Sequence, residues 1–205
     1  MKLYLLFLLM ASATVLSPGP GVLMTLSNAL RSGWRASLPG ILGIASGATI
    51  VAAISATSLG LLLASSALAF TLIKILGALY LVWLGLKLWR SPGLALDEAA
   101  DLRPPRSAGA LFLESLTLQF TNPKAIFFFL SVLPQFIDHD RPHTPQFALL
   151  VLSYAVLVIL IHSGYALCAQ RARHWLKSPR GGRTLNRIGG GTFMAFGGLL
   201  ALSRN

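Results

Sequence analysis

Charge is scarce in this 205-residue chain, and acidic charge is scarcest: 11% of residues are charged, with six Asp and Glu against seventeen Lys and Arg. A soluble domain carries about 25% charged residues. The shortage, with 55% hydrophobic content and a mean hydropathy of +0.70, excludes that class and reads as an integral membrane protein. Cysteine is almost absent too. Cys168 alone can form neither an internal disulfide nor a thiolate metal cluster, which removes redox chemistry from the expected functions. Within the apolar runs Glu114 is the only acid, so no convergent set of His, Asp and Glu, such as HExxH, stands there for an intramembrane enzyme. Asp138, His139, Asp140 and His143 cluster instead in a polar loop, where such residues are usually solvated. A metal-dependent enzyme built on that loop and a non-transporting membrane scaffold are the rival readings; no cofactor and no resident metal are expected.

What the chain does have is long apolar runs. A membrane span needs about 20 apolar residues, and six runs satisfy this: about 3–30, 38–63, 66–86, 108–137, 147–169 and 185–202. Barrel strands would alternate over short segments, so the fold class expected is all-α with six transmembrane helices. The start, MKLYLLFLLMASA, has a signal-peptide make-up, with Lys2 ahead of an apolar stretch and Ala11 and Ala13 at a cleavage-like position. The run continues well beyond that point, and an uncleaved first span is expected.

Basic residues are distributed by loop. Twelve of the seventeen follow the first, third and fifth runs: Arg31 and Arg35; Lys87, Arg90, Arg103 and Arg106; Arg171, Arg173, Lys177, Arg180, Arg183 and Arg187. Lys2, Arg141 and Arg204 lie on the other side, and Lys74 and Lys124 inside runs. The positive-inside rule makes the three basic loops cytoplasmic and puts both termini on the outer, periplasmic side of an inner membrane. The charge then reports topology and contact with the lipid bilayer, not nucleic acid.

Two of the six runs are interrupted. VLSPGPGVLMTL places Pro18 and Pro20 near the middle of the first run, and FTNPKAIFFF places Pro123 near the middle of the fourth. Proline removes a backbone donor and clashes with the preceding turn, so each helix must kink or break. Runs of roughly 28–30 residues are also longer than a bilayer core of about 30 Å requires. The polar stretch RSPGLALDEAADLRPPRSAG divides a single domain, residues 1–205, into repeat one (about 1–90), a cytoplasmic linker (about 91–107) and repeat two (about 108–205). Three spans per half, an odd number, make the second half enter the membrane in the opposite sense. Interrupted helices at matching positions of two inverted halves are the sequence pointer to a transporter's substrate site.

SPGPGVLMTLSNALRSGWRASLPGILGIASG, KILGALYLVWLGLKLWR and TNPKAIFFFLSVLPQF, in that order and spacing, resemble the LysE/RhtB amino-acid exporters, the lysine and homoserine/threonine efflux family. The resemblance implies an inner-membrane exporter of amino acids or related metabolites, driven by an ion gradient and often homodimeric. Relatives commonly carry Asn or another polar residue after PGP; Gly21 stands there in this chain, which implies a side-chain contact to substrate lost or moved.

The expected substrate-binding set is Pro18, Gly19 and Pro20 at the first break with Asn122, Pro123 and Lys124 at the second. An amino acid presents a carboxylate and an ammonium, which helix N-terminal N–H groups and freed carbonyls satisfy. An ammonium at mid-span costs at least about 2.5 kcal/mol, so Lys124 is expected to face the cavity or cap freed carbonyls. For coupling, most simply to protons, the candidates are Glu114 and His162. Each has a plainer alternative: hydration of Glu114 near the cytoplasmic end, and packing of His162. Gly40, Gly43 and Gly47, and the glycines of the sixth run, are expected to serve close helix packing.

Overall fold

The structure, a computed structural model, describes residues 2–65, 67–91, 106–138, 140–169, 171–172, 175 and 178–202. Eight α-helices follow one another in these residues, without a strand: α1 (Lys2–Leu16), α2 (Pro20–Ser32), α3 (Trp34–Ser65), α4 (Ala67–Arg90), α5 (Ala108–Phe120), α6 (Pro123–Phe127), α7 (His143–Ala169) and α8 (Pro179–Leu202). The expected all-α, multi-pass architecture is what they form. Most of the polar linker, residues 92–105, lies outside the described residues, as do His139 and the side chains of Lys74 and Pro123.

Both interruptions are real breaks. Between α1 and α2, Ser17, Pro18 and Gly19 leave the helix, and Pro20 opens the next one at the position where a missing N–H costs nothing. Between α5 and α6, Asn122 caps the new helix by accepting from the Lys124 amide at 3.1 Å, with Pro123 again first. The two halves of each broken helix are bent by 55°. After Phe127 the chain widens into a π-helical turn, Phe128–Val132, then tightens into a 3₁₀ turn, Leu133–Phe136. By length and composition the bent pairs each suffice to cross a bilayer, as do Trp34–Ser55 and His143–Ala169. Where α2 meets α3, Gly33 takes φ +84° and its N–H returns to the Ala29 carbonyl, so the chain turns without a loop.

Packing follows small residues. α4 lies along α8, and α3 along α5 and α7. A Cβ on Gly85 would come within 2.6 Å of the Gly190 carbonyl, and one on Gly47 within 2.6 Å of the Leu116 carbonyl. These backbones touch, as expected for the small faces read from the sequence. One apolar cluster gathers α1, α3 and α7 around the π-helical turn, with Phe7, Phe128, Phe129, Phe136 and Tyr154 in edge-on and tilted ring contacts. A smaller one joins Val22, Leu26, Ala29 and Leu30 to Ile41, Ala166 and Ala169. Large apolar side chains on the outer face of α7, including Leu149, Leu152, Val156 and Leu160, are exposed, as lipid-facing residues are.

Candidate functional site

Stopping α1 at mid-run strands carbonyls that an unbroken helix would have bonded. Their partners can be traced. Ser17 donates its amide to the Ala13 carbonyl at 3.0 Å and its hydroxyl to the Thr14 carbonyl at 2.7 Å. Tyr165, from α7, donates its hydroxyl to the Leu16 carbonyl at 2.5 Å. Lys124 reaches over from the second break and donates Nζ–H to the carbonyls of Thr14 and Ser17, both at 3.0 Å, with the Ser17 hydroxyl at 3.5 Å. The Phe193 ring lies 5.9 Å from the ammonium. A cation at a helix C-terminus meets the negative end of the dipole, and this one is buried, as are Thr14 and Ser17. Gly19 lets it pass: a Cβ there would lie 3.1 Å from Lys124 Nζ.

Lys124 and Gly19 also line a cavity of about 390 Å³. Pro18, Gly19 and Pro20 come from one break, and Asn122 and Lys124 from the other. Five of the six residues expected from the sequence are thus together on one wall system; Pro123 holds the first position of α6, beside them in the chain. The cavity follows α4 from Tyr80 to Ser91, roughly 16 Å at 1.5 Å per residue. Asn186 of α8 closes the other side.

Behind it, Gly21, Gln119, Asn122, Lys124, Tyr154 and His162 border a second, much smaller space of about 20 Å³. Gln119 Oε1 accepts from the Asn122 amide nitrogen at 3.1 Å, and His162 Nδ1 lies 2.7 Å from the Thr25 hydroxyl. Gly21 faces this space: a Cβ there would meet Gln119 Nε2 at 3.4 Å and His162 Cε1 at 3.5 Å. A side chain at this position would point toward Gln119 and His162, not into the larger cavity.

Glu114 is elsewhere. It pairs with Arg106 near the start of α5 and is 42% exposed, in line with the plainer alternative given for it above, and it lines neither space. His162 is buried beside the site and bonded to Thr25, so packing and proximity to Lys124 coincide in it. In the loop before α7, Asp138 accepts from the Asp140 amide and pairs with Arg141 at 3.2 Å, and no group of three possible metal ligands occurs among the described residues.

Sequence reasoning missed Thr14 and Ser17, whose contribution is mainly backbone carbonyl, Tyr80, which lies in KILGALYLVWLG without being singled out, and Asn186, which no motif marks. Their one signal is polarity: Ser17 immediately precedes PGP and Thr14 lies one turn before it, and Asn186 stands near the start of the sixth run. Tyr80 stacks on Phe127 at 4.0 Å, and its buried hydroxyl has no hydrogen-bond partner among the described residues.

A set of apolar helices, with two helical breaks meeting at one cavity, defines the class as a multi-pass helical membrane protein. The chain belongs to the LysE type translocator family, whose model matches residues 12–204. It is similar to a homoserine/homoserine lactone efflux protein of Salmonella typhimurium, 36% identical over 199 residues, covering 97% of this chain and 96% of that protein. An uncharacterized membrane protein of Vibrio cholerae is 37% identical over 203 residues, 98% and 97% of the two chains, and the membrane protein YrhP of Bacillus subtilis is 27% identical over 200 residues, 94% and 95%. No solved structure matches. The chain is therefore a membrane exporter and not an enzyme.

Proposed function

We infer that the chain exports amino acids or related small metabolites across the bacterial inner membrane, in exchange for protons, by alternating access around the 390 Å³ cavity. The observation that carries this is the meeting of two equally bent helices on one cavity, with the cation of the second break seated on the carbonyls of the first. The volume is at the small end of the roughly 300–1,000 Å³ usual for small-molecule sites. An amino acid's carboxylate, or the carbonyl of an ester or lactone, accepts from N–H groups in the first turn of α2. Its amino group turns to the carbonyl end of α1. Homoserine and its lactone, the compounds in the relative's name, share the amino group and an acceptor oxygen but not a carboxylate.

The helix contacts support six spans arranged as two inverted repeats. α4 packs on α8 and α3 on α7, each helix on its own counterpart, while α3 with α5 is matched by α7 with α1. With the basic loops cytoplasmic and both termini periplasmic, the cavity runs toward the cytoplasm along Leu84, Lys87 and Ser91, and the rings of Phe7, Phe128 and Phe136 block the outer side.

Counterflow of labelled amino acids in proteoliposomes tests the reading, with a panel that includes L-homoserine and its lactone. Exchange of at least one is expected; none across the panel sinks it. Within the panel, Tyr80→Phe keeps the stack on Phe127 and removes only the hydroxyl. Apparent affinity for hydroxylated substrates should fall about tenfold, the worth of one hydrogen bond near 1.4 kcal/mol, with alkyl substrates unaffected.

A further inference from the structure

Resting on the exporter reading above, we propose that Lys124 is the proton carrier of the transport cycle, its ammonium and the substrate's ammonium taking turns on the Thr14 and Ser17 carbonyls. Those two oxygens, each 3.0 Å from Nζ, are acceptors that the break in α1 leaves buried behind Lys124, and Lys124 itself lines the cavity. The side chain is thus a tethered copy of the group the substrate brings. Two ammonium ions on the same pair of carbonyls repel strongly at such short range in a dry interior, with the substrate's carboxylate turned away to the first turn of α2. Among the described residues that line either space there is no carboxylate.

The titratable or charged groups facing Lys124 are His162 and Tyr154 from α7 and, across the larger cavity, Tyr80 and Lys87 from α4. Among the described residues that line either space, α1, α2, α5 and α8 add no further titratable or charged group; their polar contributions near Lys124 are Thr14, Ser17, Gln119 and Asn186, beside the Phe193 ring. Nothing there fixes a permanent charge on Lys124, and a lysine shifts its protonation readily when buried.

The cycle balances as follows. Substrate from the cytoplasm takes the carbonyls, and Lys124 leaves them by giving its proton to cavity water on the cytoplasmic side. The loaded protein opens outward and releases substrate. Lys124 then takes a proton from the outer side, returns to the carbonyls, and carries one positive charge inward as the empty protein resets. One substrate leaves for one proton entering, and export of a zwitterion is driven by both the pH gradient and the inside-negative potential.

Two measurements test this. Purified wild-type protein in weak buffer at neutral pH, titrated with L-homoserine and followed with a pH dye, should release one proton for each molecule bound. In proteoliposomes, any L-homoserine transport by Lys124→Met should show no acceleration by an imposed pH gradient, and the purified variant should release no proton on binding L-homoserine. Lys124→Arg keeps the cap on α1 with a charge that cannot be lost. It should reach the membrane and carry out no proton-driven transport, and it decides the matter if the Met variant does not assemble. Wild-type counterflow without proton release, a gradient-driven Lys124→Met or Lys124→Arg, or proton release that persists in Lys124→Met and disappears in His162→Ala would each overturn the assignment. Absence of wild-type counterflow with every amino acid instead removes the exporter reading beneath it.

Discussion

Gly19→Val should leave the protein folded in the membrane and lower its transport rate by roughly ten- to a hundredfold. Gly19 has an extended backbone, φ −161° and ψ −178°, which valine adopts without strain, so the substitution acts through space alone. Even the first added carbon would lie 3.1 Å from Lys124 Nζ and 3.4 Å from its Cε, and the two methyls beyond it have no room beside the lysine. Either Lys124 leaves the Thr14 and Ser17 carbonyls or the two breaks separate. Overpacking of this kind costs about 1–3 kcal/mol, and each 1.4 kcal/mol is about a factor of ten. The check is initial counterflow rate normalised to protein reconstituted, beside a thermal melt. Wild-type rates would mean that the Gly19–Lys124 contact has no part in transport.

Gly43→Val should act on assembly instead. A Cβ at Gly43 would fall onto the backbone carbonyl of Phe112, which belongs to α5 and cannot rotate away. The 2.6 Å approach that a Cβ on Gly47 would make to the Leu116 carbonyl, one turn further along α3, shows that the whole seam is closed. Valine must therefore push α3 and α5 apart along their length, at a cost near 3 kcal/mol, the upper end for overpacking. For a chain of this size that is a fall of roughly 6–12 °C in melting temperature, with less protein recovered from membranes. Gly164→Val is the control, since nothing lies within 4 Å of a Cβ at that position of α7. Equal losses for both variants would point to helix propensity and remove the seam as the cause.

Legibility differed between the levels of the structure. The six apolar runs appear as helices because an apolar run of that length has one backbone solution in lipid, every N–H and C=O satisfied within the segment. Both breaks were legible for a related reason. Pro20 and Pro123 cannot sit inside a helix without removing a bond, but each fits its first position, and the chain restarts there. Lys124 was legible as a residue that had to find acceptors inside the protein, because a lone ammonium facing lipid is too costly.

Which acceptors it found was not. The distance in sequence from Thr14 to Lys124 is 110 residues, and only the packing of the second break against the first puts the ammonium on those carbonyls. Glu114 and His162 were indistinguishable as coupling candidates by composition; tertiary contacts sent one to Arg106 at the margin and buried the other beside Thr25. Tyr80 and Asn186 entered the cavity wall because α4 and α8 pack backbone to backbone at Gly85 and Gly190, a closeness set by the absence of side chains in two helices at once. The sequence by itself determined where this chain must be helical, where it must break and which charge needed shelter, since those follow from one segment and its solvent. Only the tertiary structure decided which broken ends face each other, because that depends on pairs of surfaces that no single segment contains.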